Sequence, residues 1–149
     1  MSVHESAIRW QRAVHQEDDS TYSRNHSVML NGGQEVKASA SVEFQGDPQC
    51  ADPEQMLISA VSSCHMLFFL AIADYQGYQV ASYDDDPVGY LERQGKKGME
   101  VTRIELSPRI AFEGENIPDA QTIAKIHASA HRNCFIRNSI TAEVVIQEA

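Results

Sequence analysis

No basic stripe runs along this chain. Twelve Lys and Arg are set against 21 Asp and Glu, a net charge of −9. That balance excludes the electrostatic footprint of a nucleic-acid binder and reads as an acidic, solvated surface. Lys96-Lys97 is the densest basic pair and looks like a turn. The first residues, Met-Ser-Val-His-Glu-Ser, lack a basic region followed by an apolar core, so no signal peptide is expected. The apolar run Met66 to Ile72 is far too short to span a bilayer, and no membrane association is expected. Cysteine is scarce: three residues, an odd number without framework spacing, do not describe a disulfide-stapled secreted domain. A cytoplasmic protein is the natural expectation. Internal repeats, low-complexity tracts and linkers are missing too. The 149 residues are therefore expected to form one domain, 1–149, with a proper hydrophobic core.

The most informative stretch runs from Asp52 to Leu70 and reads as one long helix. Asp52 suits the N-cap, Pro53 the first helical position, and Gln55 completes a capping box. Leu57, Ala60, Val61, Cys64, Leu67, Phe68, Ala71 and Ile72 recur at three- and four-residue spacing, which assigns them to one face, and Gly77 is a plausible stop. Before it, Ala7 to Gln16, Tyr22 to Leu30 and Glu35 to Phe44 alternate as strands, with Asn31-Gly32-Gly33 a turn. In the second of these, Arg24 shares a face with Tyr22, His26, Val28 and Leu30, an unusual place for a cation.

After Gly77, strands are expected at Tyr78 to Tyr83, Val88 to Gln94 and Met99 to Phe112, with Pro108 marking an edge or bulge. Asp84-Asp85-Asp86 lacks the alternating ligands and glycine of a calcium loop, and is expected to be a solvated turn or strand edge. Pro118 to Asn133 is a second helix, with Ile123, Ala124, His127, Ala130, His131 and Cys134 in helical register. Ser139 to Gln147 is a last strand. The order implies an α+β domain with largely antiparallel pairing. The apolar surface of the first helix exceeds what a small sheet covers, which points to a homodimer.

Cys64 lies on the apolar face of the first helix and Cys134 near the end of the second. Alone, Cys64 is as well explained by a small buried hydrophobe. Two core-facing cysteines on two helices, however, suit a peroxide-reducing cycle, in which one thiolate becomes a sulfenic acid and the other thiol resolves it to a disulfide. A thiolate in an apolar setting needs a positive charge beside it. Arg24 is the inward-facing candidate, with Glu54 in the first turn of the helix placed to hold its guanidinium.

Three segments carry a family resemblance. Asp-Pro-Glu-Gln-Met-Leu, five residues, then Ser63-Cys64-His65 resembles the first-cysteine motif of the OsmC/Ohr family, the osmotically inducible and organic hydroperoxide resistance proteins. Ala130-His131-Arg132-Asn133-Cys134-Phe135-Ile136-Arg137-Asn138-Ser139 resembles its second-cysteine motif, and Tyr22-Ser23-Arg24-Asn25-His26 its arginine segment, closer to an OsmC-like branch. The resemblance covers nearly the whole chain. It implies an intertwined α+β homodimer and a thiol peroxidase for organic hydroperoxides in oxidative stress defence. By the same resemblance, Cys64 is the peroxidatic and Cys134 the resolving cysteine, with Arg24 and Glu54 as the activating pair. No metal or organic cofactor is implied; the reductant would be a dithiol, such as a lipoyl-bearing protein. Leu57, Val61, Leu67 and Phe68 would line an apolar substrate pocket.

Two other readings compete. Cys64, His65, His127, His131 and Cys134 offer zinc-ligand types, although Cys64 and His65 point about 100° apart on a helix. A non-catalytic module binding an apolar ligand is the other. Cys50 has no motif around it, and the three histidines suit core or interface positions.

Overall fold

The computed structural model describes residues 1–147. The chain divides into two compact units, Met1–Met56 and the residues from Leu57 onward.

In the first unit, β1 (Ala7–Arg9), β2 (His26–Met29) and β3 (Glu35–Ala38) form an antiparallel sheet in the order β1-β2-β3. Ala7 faces Met29 and His26 faces Ala38 across the ladders. The Asn-Gly-Gly turn joins β2 to β3, with Gly32 and Gly33 both at φ 71°. All three strands are shorter than their alternation suggests, because side chains take over the backbone partners. Trp10 Nε1 donates to the Ser23 carbonyl at 2.9 Å. Buried His15 accepts from Glu17 N and Asp18 N at Nδ1, so its Nε2–H donates to the Gln45 carbonyl at 2.8 Å. Past Ala38 the chain makes a short 3₁₀ turn, Val42–Phe44, and doubles back on itself. A Cβ at Gly46 would lie 1.5 Å from the Ala40 carbonyl oxygen, so only glycine fits there.

The long helix α1 (Pro53–Tyr75) leaves this unit and continues into the second. Its capping box forms as expected: Gln55 N donates to Asp52 Oδ1 at 2.8 Å, and Asp52 N to Gln55 Oε1 at 3.0 Å. The second unit then adds β4 (Gln79–Asp84), β5 (Val88–Arg93), β6 (Met99–Leu106), β7 (Arg109–Glu113), α2 (Ala120–Asn133) and β8 (Glu143–Ile146). Strands β4 and β7 pair antiparallel. The other sheet has the order β5-β6-β8, antiparallel between β5 and β6 and parallel between β6 and β8. The expected strand Met99 to Phe112 is in fact two. Pro108, with no N–H to donate, falls between β6 and β7, which belong to different sheets. The fold is α+β.

Two apolar clusters hold this unit. Val61, Ile104, Leu106 and Val144 form one, and Phe69, Ala73, Ile126 and Ala130 the other. Helix α1 thus buries Val61, His65, Phe69 and Ala73, each one turn after the last. This seam differs from the expected face: of those eight residues only Val61 is buried, and Leu67 is 58% exposed. The helix is apolar nearly all round, so periodicity alone does not set which side faces the sheets. For the same reason α1 is long and apolar enough to cross a membrane, with a mean hydropathy of 2.0, which the short run Met66 to Ile72 does not convey. Only 22% of that stretch is buried, along the seam Val61, His65, Phe69 and Ala73 that packs into the two apolar clusters. Gly89 of β5 lets the sheet approach α1, since a Cβ there would stand 2.6 Å from Ile58 Cγ2.

The aspartate triplet has definite partners. Asp85 accepts from Ser62 Oγ of α1 and from Ser107 N at 2.6 Å, and Asp86 pairs with Arg109 at 2.8 Å. Asp84 and Asp86 are exposed at the end of β4, as expected of a solvated turn or strand edge, and Asp85 adds a clasp between α1 and the β6–β7 connection.

Candidate active site

Helix α2 begins at Asp119, whose carboxylate accepts from Thr122 N at 2.7 Å and is held below the usual carboxylate range by those hydrogen bonds. The helix then runs until Cys134, its C-cap, leaves helical geometry with ψ 111°. These two ends determine what α2 lays against α1.

Cys134 is 1% exposed, and all three cysteines are free thiols. Its thiol is a neighbour of the Cys64 thiol, close enough for the two to affect each other electrostatically. Cys64, near the middle of α1, keeps partial exposure. Cys134 Sγ also sits 4.0 Å from the Val61 carbonyl oxygen as a donor. Arg137 N, at the start of the 3₁₀ turn Arg137–Ser139, donates to it at 3.4 Å, and the Ile136 amide contributes as well. Burial is the main cause that pushes the Cys134 thiol up, joined by the neighbouring Cys64; the two amides pull the other way.

Next to this dithiol lies a second interhelical pair. His65 Nε2 and His127 Nδ1 are 3.0 Å apart, and the rings stack at 5.3 Å with planes 9° apart. Both are buried, at 1% and 5% exposure, and Phe69 leans on His127 at 4.5 Å. Burial, then the proximity of His127 and His131, pushes His65 down to about 4. His131 is also lowered, by burial and by Arg137 and Arg132, and its Nδ1 is shielded from water without a partner. The zinc reading has no support in this geometry. Among the described residues no three His, Cys, Asp or Glu side chains are grouped to hold a metal ion.

The remaining expected site residues have less direct placements. Arg24 precedes β2 rather than pointing inward from a strand. Its guanidinium lies over the Tyr22 ring at 3.9 Å and donates to Gln45 Oε1 at 2.6 Å, to Thr21 Oγ1 at 3.1 Å and to the Tyr22 carbonyl. The expected Arg24–Glu54 bridge is not among the ion pairs of the described residues, and Glu54 Oε2 is shielded from water with no partner. Both residues belong to the first unit, the two cysteines to the second. Of the expected pocket residues, Val61 is spent on the core, Leu57 is half-buried and Leu67 points to solvent. Phe68 packs edge-on against Phe135 at 4.9 Å. Phe135 is 69% exposed and directly follows Cys134, a position that the spacing of apolar residues within helices does not pick out. A cavity of about 430 Å³ does exist, but its walls include Ile110, Phe112, Ile117, Ile123 and His127 instead.

The sequence model of the OsmC-like protein family matches residues 46–149, which takes in both cysteines and Glu54. This chain belongs to the OsmC-like family. An OsmC-like protein of unknown function from Vibrio cholerae is 40% identical over all of both chains, with a TM-score of 0.92. The organic hydroperoxide resistance protein OsmC from Legionella pneumophila, 16% identical, aligns over 99% of this chain and 97% of its own with a TM-score of 0.65. The organic hydroperoxide resistance protein OhrB of Bacillus subtilis, 11% identical, does so over 99% and 98% with 0.70. Comparison with curated proteins finds no match.

Proposed function

We propose that this OsmC-like protein is a cysteine-based thiol peroxidase that reduces organic hydroperoxides in oxidative stress defence. The carrying observation is a partly exposed Cys64 with the buried Cys134 thiol as its neighbour, Cys134 Sγ lying 4.0 Å from the carbonyl oxygen of Val61 one turn before Cys64. The Cys64 thiolate attacks the terminal peroxide oxygen, the O–O bond breaks, and the alkoxide takes a proton to leave as the alcohol. Cys134 then attacks the sulfur of the Cys64 sulfenic acid, forming the disulfide and releasing water. An external dithiol returns two electrons; a lipoyl-bearing protein is the kind the family resemblance implies.

The exposed rings and apolar side chains around Cys64, Phe135 and Leu67 among them, support an organic substrate over hydrogen peroxide. Exposed Ile8 and Val14 in the first unit and Leu67 in the second support a homodimer. The shielded, unpartnered carboxylate oxygen of Glu54 supports its meeting a cation in the assembled protein, with Arg24 as that cation and the Cys64 thiolate as its beneficiary. The reading places the protein in the cytoplasm, away from membranes and nucleic acid.

Single-turnover thiol counting tests it. Reduced protein is mixed with one equivalent of an organic hydroperoxide, and separately with hydrogen peroxide, and followed by intact mass. Loss of both Cys64 and Cys134 thiols with the mass change of a disulfide, faster with the organic oxidant, is the expected result. Unchanged thiols with either oxidant would remove the peroxidase reading.

A further inference from the structure

Resting on the peroxidase reading, the next question is where the returning thiol enters. A thiolate that opens a disulfide approaches along the S–S axis, from the far side of the sulfur it attacks, and the other sulfur leaves with the electron pair. The two sulfurs here are not equivalent in either respect. Cys64 is partly exposed, whereas Cys134 is 1% exposed and has the Val61 carbonyl against it. The carbonyl oxygen occupies one approach to Cys134. It also repels a departing anion, and burial pushes the Cys134 thiol up, so Cys134 can leave only with donors on another side of its sulfur. On another side, the Ile136 and Arg137 amides point at the Cys134 sulfur, the second at 3.4 Å. Two consecutive N–H groups opening a 3₁₀ turn are a ready receptor for negative charge. Among the described residues nothing comparable is directed at Cys64, whose place in mid-helix leaves its neighbouring amides engaged along the helix.

We propose that the external thiol attacks Cys64, that Cys134 is the leaving group, and that the backbone amides of Ile136 and Arg137 receive its thiolate. The balance is complete: the attacking thiolate bonds to Cys64 Sγ, the Cys64–Cys134 bond breaks, and its electron pair goes to Cys134 as the anion. Where the reductant is a dithiol, its second thiolate attacks its own sulfur in the mixed disulfide and frees the Cys64 thiolate. Cys134 takes up a proton and turns its S–H back to the Val61 carbonyl. The turn after α2 is thus a positioning element for the reductive half of the cycle, and the reductant needs to reach α1 only.

The test uses the wild-type protein oxidised with diamide, which forms the disulfide whether or not the protein reduces peroxides. A limiting monothiol, 2-mercaptoethanol, is added. The mixture is quenched with acid at the shortest accessible times, alkylated, digested and mapped by mass. At least about tenfold more adduct on Cys64 than on Cys134, with alkylation on Cys134, is expected. Adduct on Cys134, or equal amounts on both at the earliest time, overturns the proposal. So does failure of diamide to link the two cysteines, whereas a disulfide that diamide makes and peroxide does not would instead count against the peroxidase reading alone. The amide receptor has its own readout. In Cys64→Ser protein, the N–H resonances of Ile136 and Arg137 are followed while Cys134 ionises. Both are expected to move with the thiolate absorbance; resonances that stay put overturn the receptor role.

Discussion

Two layers stack side by side between α1 and α2, one of sulfur and one of imidazole. Cys64 neighbours Cys134, and one residue later His65 meets His127. The helices are the same and the sequence neighbours are the same, yet the layers are opposites. Cys64 keeps access to water, while His65 is 1% exposed and pushed down to about 4. One step along a helix turns a side chain by about 100°. That step separates a partly exposed thiol from a buried hydrogen-bonded imidazole pair that links the helices. The lesson is that a partly exposed thiol can sit beside a buried polar pair when the pair is aimed at the core and the thiol at its edge.

The comparison can be broken most severely at the sulfur layer. Cys64→Ser is expected to bring peroxide-driven thiol loss down to that of free cysteine. Cys134→Ser should still consume one equivalent of peroxide and leave a sulfenic acid on Cys64, detected by mass as one added oxygen. Equal behaviour of the two variants would erase the distinction between the sulfurs.

The imidazole layer should respond to pH. His65 has an ordinary value near 6.5 when unfolded and about 4 when folded, so between these values the unfolded chain binds more protons. Stability is therefore expected to fall as pH drops from about 6.5 towards 4, and not to change from this source above it. With about 1.4 kcal/mol per pKa unit, the loss attributable to this group is on the order of 3 kcal/mol. Urea midpoints across that range measure it, and in His65→Leu the His65-linked part of the slope should vanish, leaving only what His131 contributes. His127→Ala leaves the buried His65 ring without its hydrogen-bond partner, and a destabilisation of about 1–3 kcal/mol is expected by the same measurement.

The smallest effect sharpens the comparison from outside both layers. Arg24→Ala is expected to slow alkylation of Cys64 at neutral pH about tenfold, about 1.4 kcal/mol, while the urea midpoint linked to His65 follows the same pH profile as wild type. An unchanged alkylation profile would take Arg24 out of the mechanism.

Much of the fold was legible because its signals are local. The Asp52–Gln55 capping box, the Asn-Gly-Gly turn and the stop at Gly77 each depend on residues within a few positions of one another. Pro108 was legible as a disturbance, though not as the boundary between two sheets. The phase of α1 was not legible. Its apolar residues surround the axis, so the choice of Val61, His65, Phe69 and Ala73 as the buried seam awaited the sheets they pack on. Strand lengths in the first unit were overestimated because alternation does not reveal that Trp10 and His15 capture backbone groups from distant loops.

At the site, residue types and their order along the chain were enough to single out Cys64 and Cys134, since few residues other than cysteine supply such a nucleophile and the two lie on core-facing helices. The sequence by itself therefore determined the chemistry available, the helices that carry it and the family to which the chain belongs. Only the tertiary structure decided which cysteine stays accessible, that His65 pairs with His127, that Phe135 joins Phe68 beside the dithiol, and that two amides of the turn after α2 face Cys134. The physical reason is that accessibility and hydrogen bonding are properties of the space between elements. That space is set by how α1 and α2 lie on the sheets, through contacts between residues far apart in the chain, and no local pattern encodes it.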